Sequence, residues 1–136
     1  MASVLPLKSY ARIPVHLPLP NLIEVQTDSF ERLKKEGLSD LFNEVSPIES
    51  YNKGMKLYFP GDKPEAKGLS YWFGDPKHTI EDCVERDLTY AQPLYVSVLL
   101  AGTEVSSPIQ SDIFLGDFPE MTDKGTFIIN GTERVV

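Results

Sequence analysis

One cysteine, Cys83, stands in this chain of 136 residues, so no intrachain disulfide can form and a disulfide-stapled secreted scaffold is excluded. No apolar run approaches the twenty or so residues of a membrane-spanning helix. The opening MASVLPLKSYARIP also lacks the apolar core of an export signal, and the chain reads as cytoplasmic, with no membrane partner. Cationic residues are the scarcer sign: 13 Lys and Arg against 20 Asp and Glu, a net charge of −7. That balance excludes a free-standing nucleic-acid binder with a basic face, but not a domain whose basic neighbours hold the phosphates. Histidine is scarce too. His16 lies in the proline-rich arm and His78 beside a turn, and neither metal nor cofactor is expected. Glycine-rich phosphate loops are missing, because Gly116, Gly125 and Gly131 fall in separate turns.

What is present is an ordinary globular pattern of single-domain length, read as one domain over 1–136. Pro6, Pro14, Pro18 and Pro20 make residues 1–20 an extended arm, and Leu5, Ile13, Val15, Leu17 and Leu19 suggest that it lies on a surface. Asn21 and Glu24 give a helix start, and Gly37 reads as its left-handed stop. Ile23, Gln26, Phe30 and Leu33 form its stripe. Ser39 then opens a second helix with Leu41, Phe42 and Val45, which Pro47 ends. The pair reads as a helical hairpin. Residues around Leu57–Phe59 and Tyr71–Phe73 suggest strands, separated by PGDKPEAKG, which reads as a mobile loop. Thr79 and Asp82 signal the cap of a short helix, on which Cys83 is a small buried hydrophobe. Leu94, Val96, Val98 and Leu100 alternate as a long strand, and DIFLG forms another after the polar GTEVSSPIQ. The class is α+β: two N-terminal helices, one further short helix and a mainly antiparallel sheet.

Chemistry is sparse. Glu81, Asp82 and Glu85 open a helix, where negative charge is favoured. Asp117, Glu120 and Asp123 lie in turns around Pro119 and are the remaining acid–base candidates. The final FIINGTERVV is a hairpin, since Asn130-Gly131 suits the positive φ of a type I′ turn.

GDFPEMTDKGTFIINGTERVV resembles the signature of the β subunit of bacterial DNA-directed RNA polymerase, near the first segment of its β1 (protrusion) domain. SYARIPVHLPLPNLIEVQTDSFERL, SPIESY and LSYWFGDPKHTIEDCVERDLTYAQPLYV are similar to that family's segments in the same order. The resemblance implies an N-terminal piece of a much longer subunit. It implies a non-catalytic part of the β pincer of the claw, with the catalytic Mg²⁺ in β′. The implied partners are the rest of β, β′, α and σ, with DNA only in the assembly. CarD-type regulators and the transcription-repair coupling factor would dock on an edge strand comprising Pro108, Ile109, Gln110, Ser111, Asp112 and Ile113. The family's usual Ile-Lys-Glu is Pro108-Ile109-Gln110 here, which removes the charges and one N–H. Asn130, Gly131, Thr132, Glu133 and Arg134 would lie near the nucleic-acid channel. A competing reading is an independent acidic α+β interaction module using the aromatics from Tyr71 to Phe73.

Overall fold

The computed structural model describes residues 5–7, 9–14 and 16–136. Its first element begins where Asn21 turns the chain, its side-chain oxygen accepting from the Ile23 amide at 3.2 Å. Helix α1 (Glu24–Arg32), a π-helical segment (Leu33–Gly37) and α2 (Leu38–Val45) then run on without a break. This corrects the expected hairpin. Gly37 has φ −61° and ψ −41°, ordinary right-handed helix, so it does not terminate anything.

The physical reason lies in the phase of the apolar stripe. At 3.6 residues per turn, Leu38 and Phe42 would stand about 80° and 120° away from Phe30 on a straight α-helix. The π turn accommodates one extra residue and brings both back to within about 20° of it. All three are buried: Phe30 at 8%, Leu38 at 7% and Phe42 at 5% exposure. Widening the turn also leaves carbonyls needing partners, and Tyr71 Oη bonds Lys34 O at 2.6 Å and Lys35 O at 2.9 Å.

Two layers result. The helical unit covers one face of a five-stranded antiparallel sheet made of β1 (Ile48–Glu49), β2 (Lys56–Tyr58), β3 (Tyr71–Phe73), β4 (Ala91–Ala101) and β5 (Ile109–Pro119). β4 is the centre. It pairs β2 and β3 along one side and β5 along the other. The expected alternation holds: Leu94, Val96 and Val98 join Leu38, Phe42 and Phe59 in the core. Helix α3 (Ile80–Glu85) is capped as expected, Thr79 Oγ1 accepting from the Asp82 amide at 3.2 Å. Cys83 on it is fully buried. Strands β6 (Phe127–Ile129) and β7 (Thr132–Arg134) form a separate hairpin whose Ile128 is buried against the domain.

Two other expectations change. PGDKPEAKG is fastened to the end of α2, not loose. The Asp62 amide donates to Asn43 Oδ1 at 2.7 Å, Asn43 Nδ2 donates to Asp62 Oδ2 at 3.0 Å, and Lys63 Nζ bonds Ser46 O. A 3₁₀ turn (Pro64–Ala66) buries Ala66 there. In the arm, by contrast, the expected burial of apolar residues is not found for Leu7, Leu17 and Leu19, which are almost fully exposed.

Burial raises the Tyr71 hydroxyl above its usual pKa of 10.0, with Asp40 adding to it. Burial likewise raises Tyr90, helped by Glu120 and then by Asp123 and Cys83. A folded state that holds its phenolic protons longer than the unfolded chain loses relative stability as those protons leave the unfolded chain. Burial, and then Asp82, likewise raise the Cys83 thiol above its usual 9.0, so stability is expected to fall progressively above pH 9.0 as first this thiol and then the tyrosines ionise in the unfolded chain. Urea midpoints across alkaline pH, read beside tyrosinate absorbance, check this. A midpoint unchanged past that pH would contradict it, and Tyr71→Phe should flatten part of the slope.

Candidate functional site

The edge strand is built by where β4 sends its hydrogen bonds. Ser97 donates to Ser70 O at 2.8 Å, and Gly74 donates to Pro93 O at 2.8 Å. Odd positions in this part of β4 therefore face β3, and even positions face β5. The even residues Val96, Val98 and Leu100 stand opposite Ile113, Ser111 and Ile109. Those three use their main-chain groups on β4. The groups of Gln110 and Asp112 point outward, and no strand among the described residues pairs with them.

Pro108 falls in the same outward phase and has no N–H to offer. Beyond Asp112 the register slips between Leu94 and Tyr95, with Leu115 the extra residue of a bulge. A proline and a bulge thus bound a free edge centred on Ile109–Ile113. Side chains alternate along it. Ile109, Ser111 and Ile113 share the face that carries the helices, and Ile109 is 54% exposed. On the open face Asp112 accepts from Ser97 Oγ at 2.5 Å. Beside it runs an aromatic ladder across three strands. Trp72 stacks on Tyr95 at 5.9 Å, and Tyr95 meets Phe114 at 5.7 Å.

The terminal hairpin is the second expected region. Asn130 and Gly131 have φ of 51° and 78°, the left-handed values expected of the turn. Gly131 also donates to Leu88 O at 2.9 Å, and a Cβ there would stand 2.9 Å from the Asp87 Cα. The Asn130 amide donates to Thr89 Oγ1 at 3.2 Å. Glu133 accepts from Thr126 Oγ1 at 2.6 Å, which in turn shares a proton with Thr122 Oγ1. Thr132 stands opposite Ile129, and Arg134 opposite Phe127. Arg134 is exposed and borders an open apolar hollow of about 370 Å³ with Pro119, Phe127 and Ile129. The two regions are not brought together. Ile113 and Pro119 stand six positions apart on β5, a span of about 20 Å at the rise of a strand.

A family model described as RNA polymerase beta subunit matches residues 21–136. The chain belongs to that family. A relative named DNA-directed RNA polymerase subunit beta, from Geobacillus kaustophilus (strain HTA426), is 48% identical over 95% of the chain. Another of the same name, from Lysinibacillus sphaericus (strain C3-41), is 47% identical over 95% of the chain. The chain spans 10% of the length of each.

In this β-subunit region two of the three acidic candidates are paired. Asp117 pairs with Lys77 at 3.7 Å, and Glu120 pairs with Lys34 at 3.2 Å. Among the described residues no group of three or more His, Cys, Asp or Glu could hold a metal ion. No described helix is long and apolar enough to cross a membrane. The Lys34–Glu120 pair, which Gln92 Nε2 also joins, could have been suspected from the sequence. Gln92 is in phase with Leu94, Val96 and Val98, so a polar group was due to point into the core and need a partner. The aromatic ladder had no such signal, because its members come from three strands whose register only the fold defines.

Proposed function

We propose that this region is a non-catalytic part of the β subunit of a DNA-directed RNA polymerase. It forms part of the protrusion domain and of the β pincer, and offers β5 to transcription regulators. The observation that carries the docking role is the outward-facing main chain of Gln110 and Asp112 on an unpaired strand. Affinity comes from main-chain pairing, and selectivity from side chains that differ from the family's Ile-Lys-Glu pattern. Arg134 and the Asn130-Gly131-Thr132 turn sit toward the nucleic-acid channel of the assembly, where β′ supplies the catalytic Mg²⁺. The partners are then β′, α, σ and the rest of β, with CarD-type regulators and the transcription-repair coupling factor on the edge.

Titration with a cognate CarD-type or repair-coupling docking domain tests this. Asp112→Pro removes an outward N–H, and Ile109→Glu puts a charge on the apolar side of the edge. Each should weaken binding about tenfold or more, as the loss of a main-chain bond or a buried contact does. Retention of full affinity by both variants would sink the docking role. Duplex DNA is the control. With a net charge of −7, the isolated chain should show no measurable DNA affinity at physiological salt.

A further inference from the structure

The Asn130-Gly131 turn holds two groups that can react with each other. An asparagine side-chain amide is open to attack by the backbone nitrogen of the next residue, and glycine there has no Cβ to block the approach. The Gly131 nitrogen and the Asn130 Cγ are the two ends of a five-membered ring, already joined in one molecule. Of the asparagines Asn21, Asn43, Asn52 and Asn130, only Asn130 precedes glycine. In the reaction the bond from Gly131 N to Asn130 Cγ forms and the Cγ–N bond of the side-chain amide breaks. Ammonia leaves with the Gly131 amide proton. Water then opens the cyclic imide at either carbonyl, giving aspartate or an isoaspartyl link. No oxidant or reductant enters.

The fold opposes each part of that step. The attacking nitrogen must give up its proton, whereas the Gly131 N–H donates to Leu88 O at 2.9 Å. Negative charge developing on that nitrogen would face the Asp87 carboxylate, whose Oδ1 lies 2.7 Å from where a Gly131 Cβ would stand. Ring closure also requires the Asn130 backbone to turn. Its φ is 51°, and its amide is fixed to Thr89 Oγ1 at 3.2 Å. The Asp87 Cα and Val84 O lie 2.9 Å and 3.3 Å from the same Cβ position, which leaves the Gly131 peptide no room to rotate.

We infer that Asn130-Gly131 is a deamidation site that the native fold keeps silent by seating the turn on residues 87–89, and that reacts when the hairpin lifts from them. The conversion is one-way. It sets a new carboxylate beside Asp87, and the isoaspartyl form adds a main-chain carbon for which the two-residue turn between Ile129 and Thr132 has no place. A hairpin that stays open long enough to react therefore cannot reseat. The product is a permanent record of the opening.

The test is mass spectrometry of the tryptic peptide 125–134 from RNA polymerase assembled with the full-length β subunit that carries this sequence, aged at neutral pH. The same subunit unfolded in urea is the reference, and labelling by an isoaspartyl methyltransferase marks the isoaspartyl product. The unfolded subunit should convert at least about 100-fold faster than the assembled one, as for a reaction that waits on local opening. Thr89→Val removes the acceptor of the Asn130 amide. Asp87→Asn removes the opposing charge and keeps a residue type suited to the positive φ of that position. Each should speed conversion in the assembled enzyme about three- to tenfold, as the loss of one hydrogen bond or charge contact does, and leave the rate in urea unchanged. Equal rates in the assembled and unfolded subunit, no conversion even in urea, or neither variant faster than the parent when assembled would each overturn the inference.

Discussion

Replacing Phe42 with alanine should remove about 3–5 kcal/mol of folding stability, the range for a large aromatic deleted from a packed core. Phe42 is 5% exposed and joins the helical layer to the sheet at two rings. It stacks on Phe59 at 5.8 Å with planes 8° apart, and meets Tyr71 at 5.4 Å. Its loss opens a void between Leu38, Leu94 and Val96, and none of these can swing in from a strand or helix backbone to fill it. Leu41, one residue earlier and 49% exposed, is the matched control, expected to stay within about 0.5 kcal/mol on truncation. Urea denaturation of the two variants beside the parent chain gives the comparison. Equal losses would mean that the helix does not pack on the sheet through this face.

Glu120→Ala should cost about 3 kcal/mol, because it strands a cation in a mostly apolar site. Lys34 Nζ lies 3.2 Å from the Glu120 carboxylate, and the two side chains are only 17% and 19% exposed. The ammonium also sits 5.3 Å from the Phe30 ring centroid and 5.2 Å from that of Phe73. Remove the carboxylate and these rings remain, yet Gln92 and Lys34 both lose their acceptor. The double variant Lys34→Met/Glu120→Leu should recover most of the loss, since a desolvated pair gains little over apolar side chains of similar size. A double-mutant cycle by denaturation measures the coupling. If Glu120→Ala were as stable as the parent, the pair would be ornamental and the sheet end at Pro119 would be held by packing and by main-chain bonds such as that from Glu120 N–H to Tyr90 O.

Much of the α+β layout was legible because local signals matched the tertiary outcome. The Asn130-Gly131 turn, the Thr79 cap and the alternation from Leu94 to Val98 each combine propensity and burial in one short window. The helix was harder. A stripe that shifts phase at Leu33–Gly37, with a glycine in the gap, has the pattern of two helices as readily as of one helix with a π turn. Only Tyr71, on a strand distant in sequence, supplies the hydroxyl that satisfies the wider turn. The loop at 60–68 misleads for a similar cause: its composition is that of a mobile loop, but Asn43 on α2 and Ser46 just after it fasten it. As for the candidate site, Ile109–Ile113 was found by family resemblance. The residues alone could not say which main-chain groups face out, since that follows from β3 taking the other side of β4.

The π turn has a consequence for how this domain can change length. Deleting one residue anywhere else in the helix rotates everything downstream by about 100° and carries Phe42 off the sheet. Deleting one between Leu33 and Gly37 converts the wide turn to an ordinary one and leaves Phe30, Leu38 and Phe42 in line. The segment is thus the one place where the helix tolerates a length difference between homologues, and where an insertion and its reversal are both nearly neutral to the core.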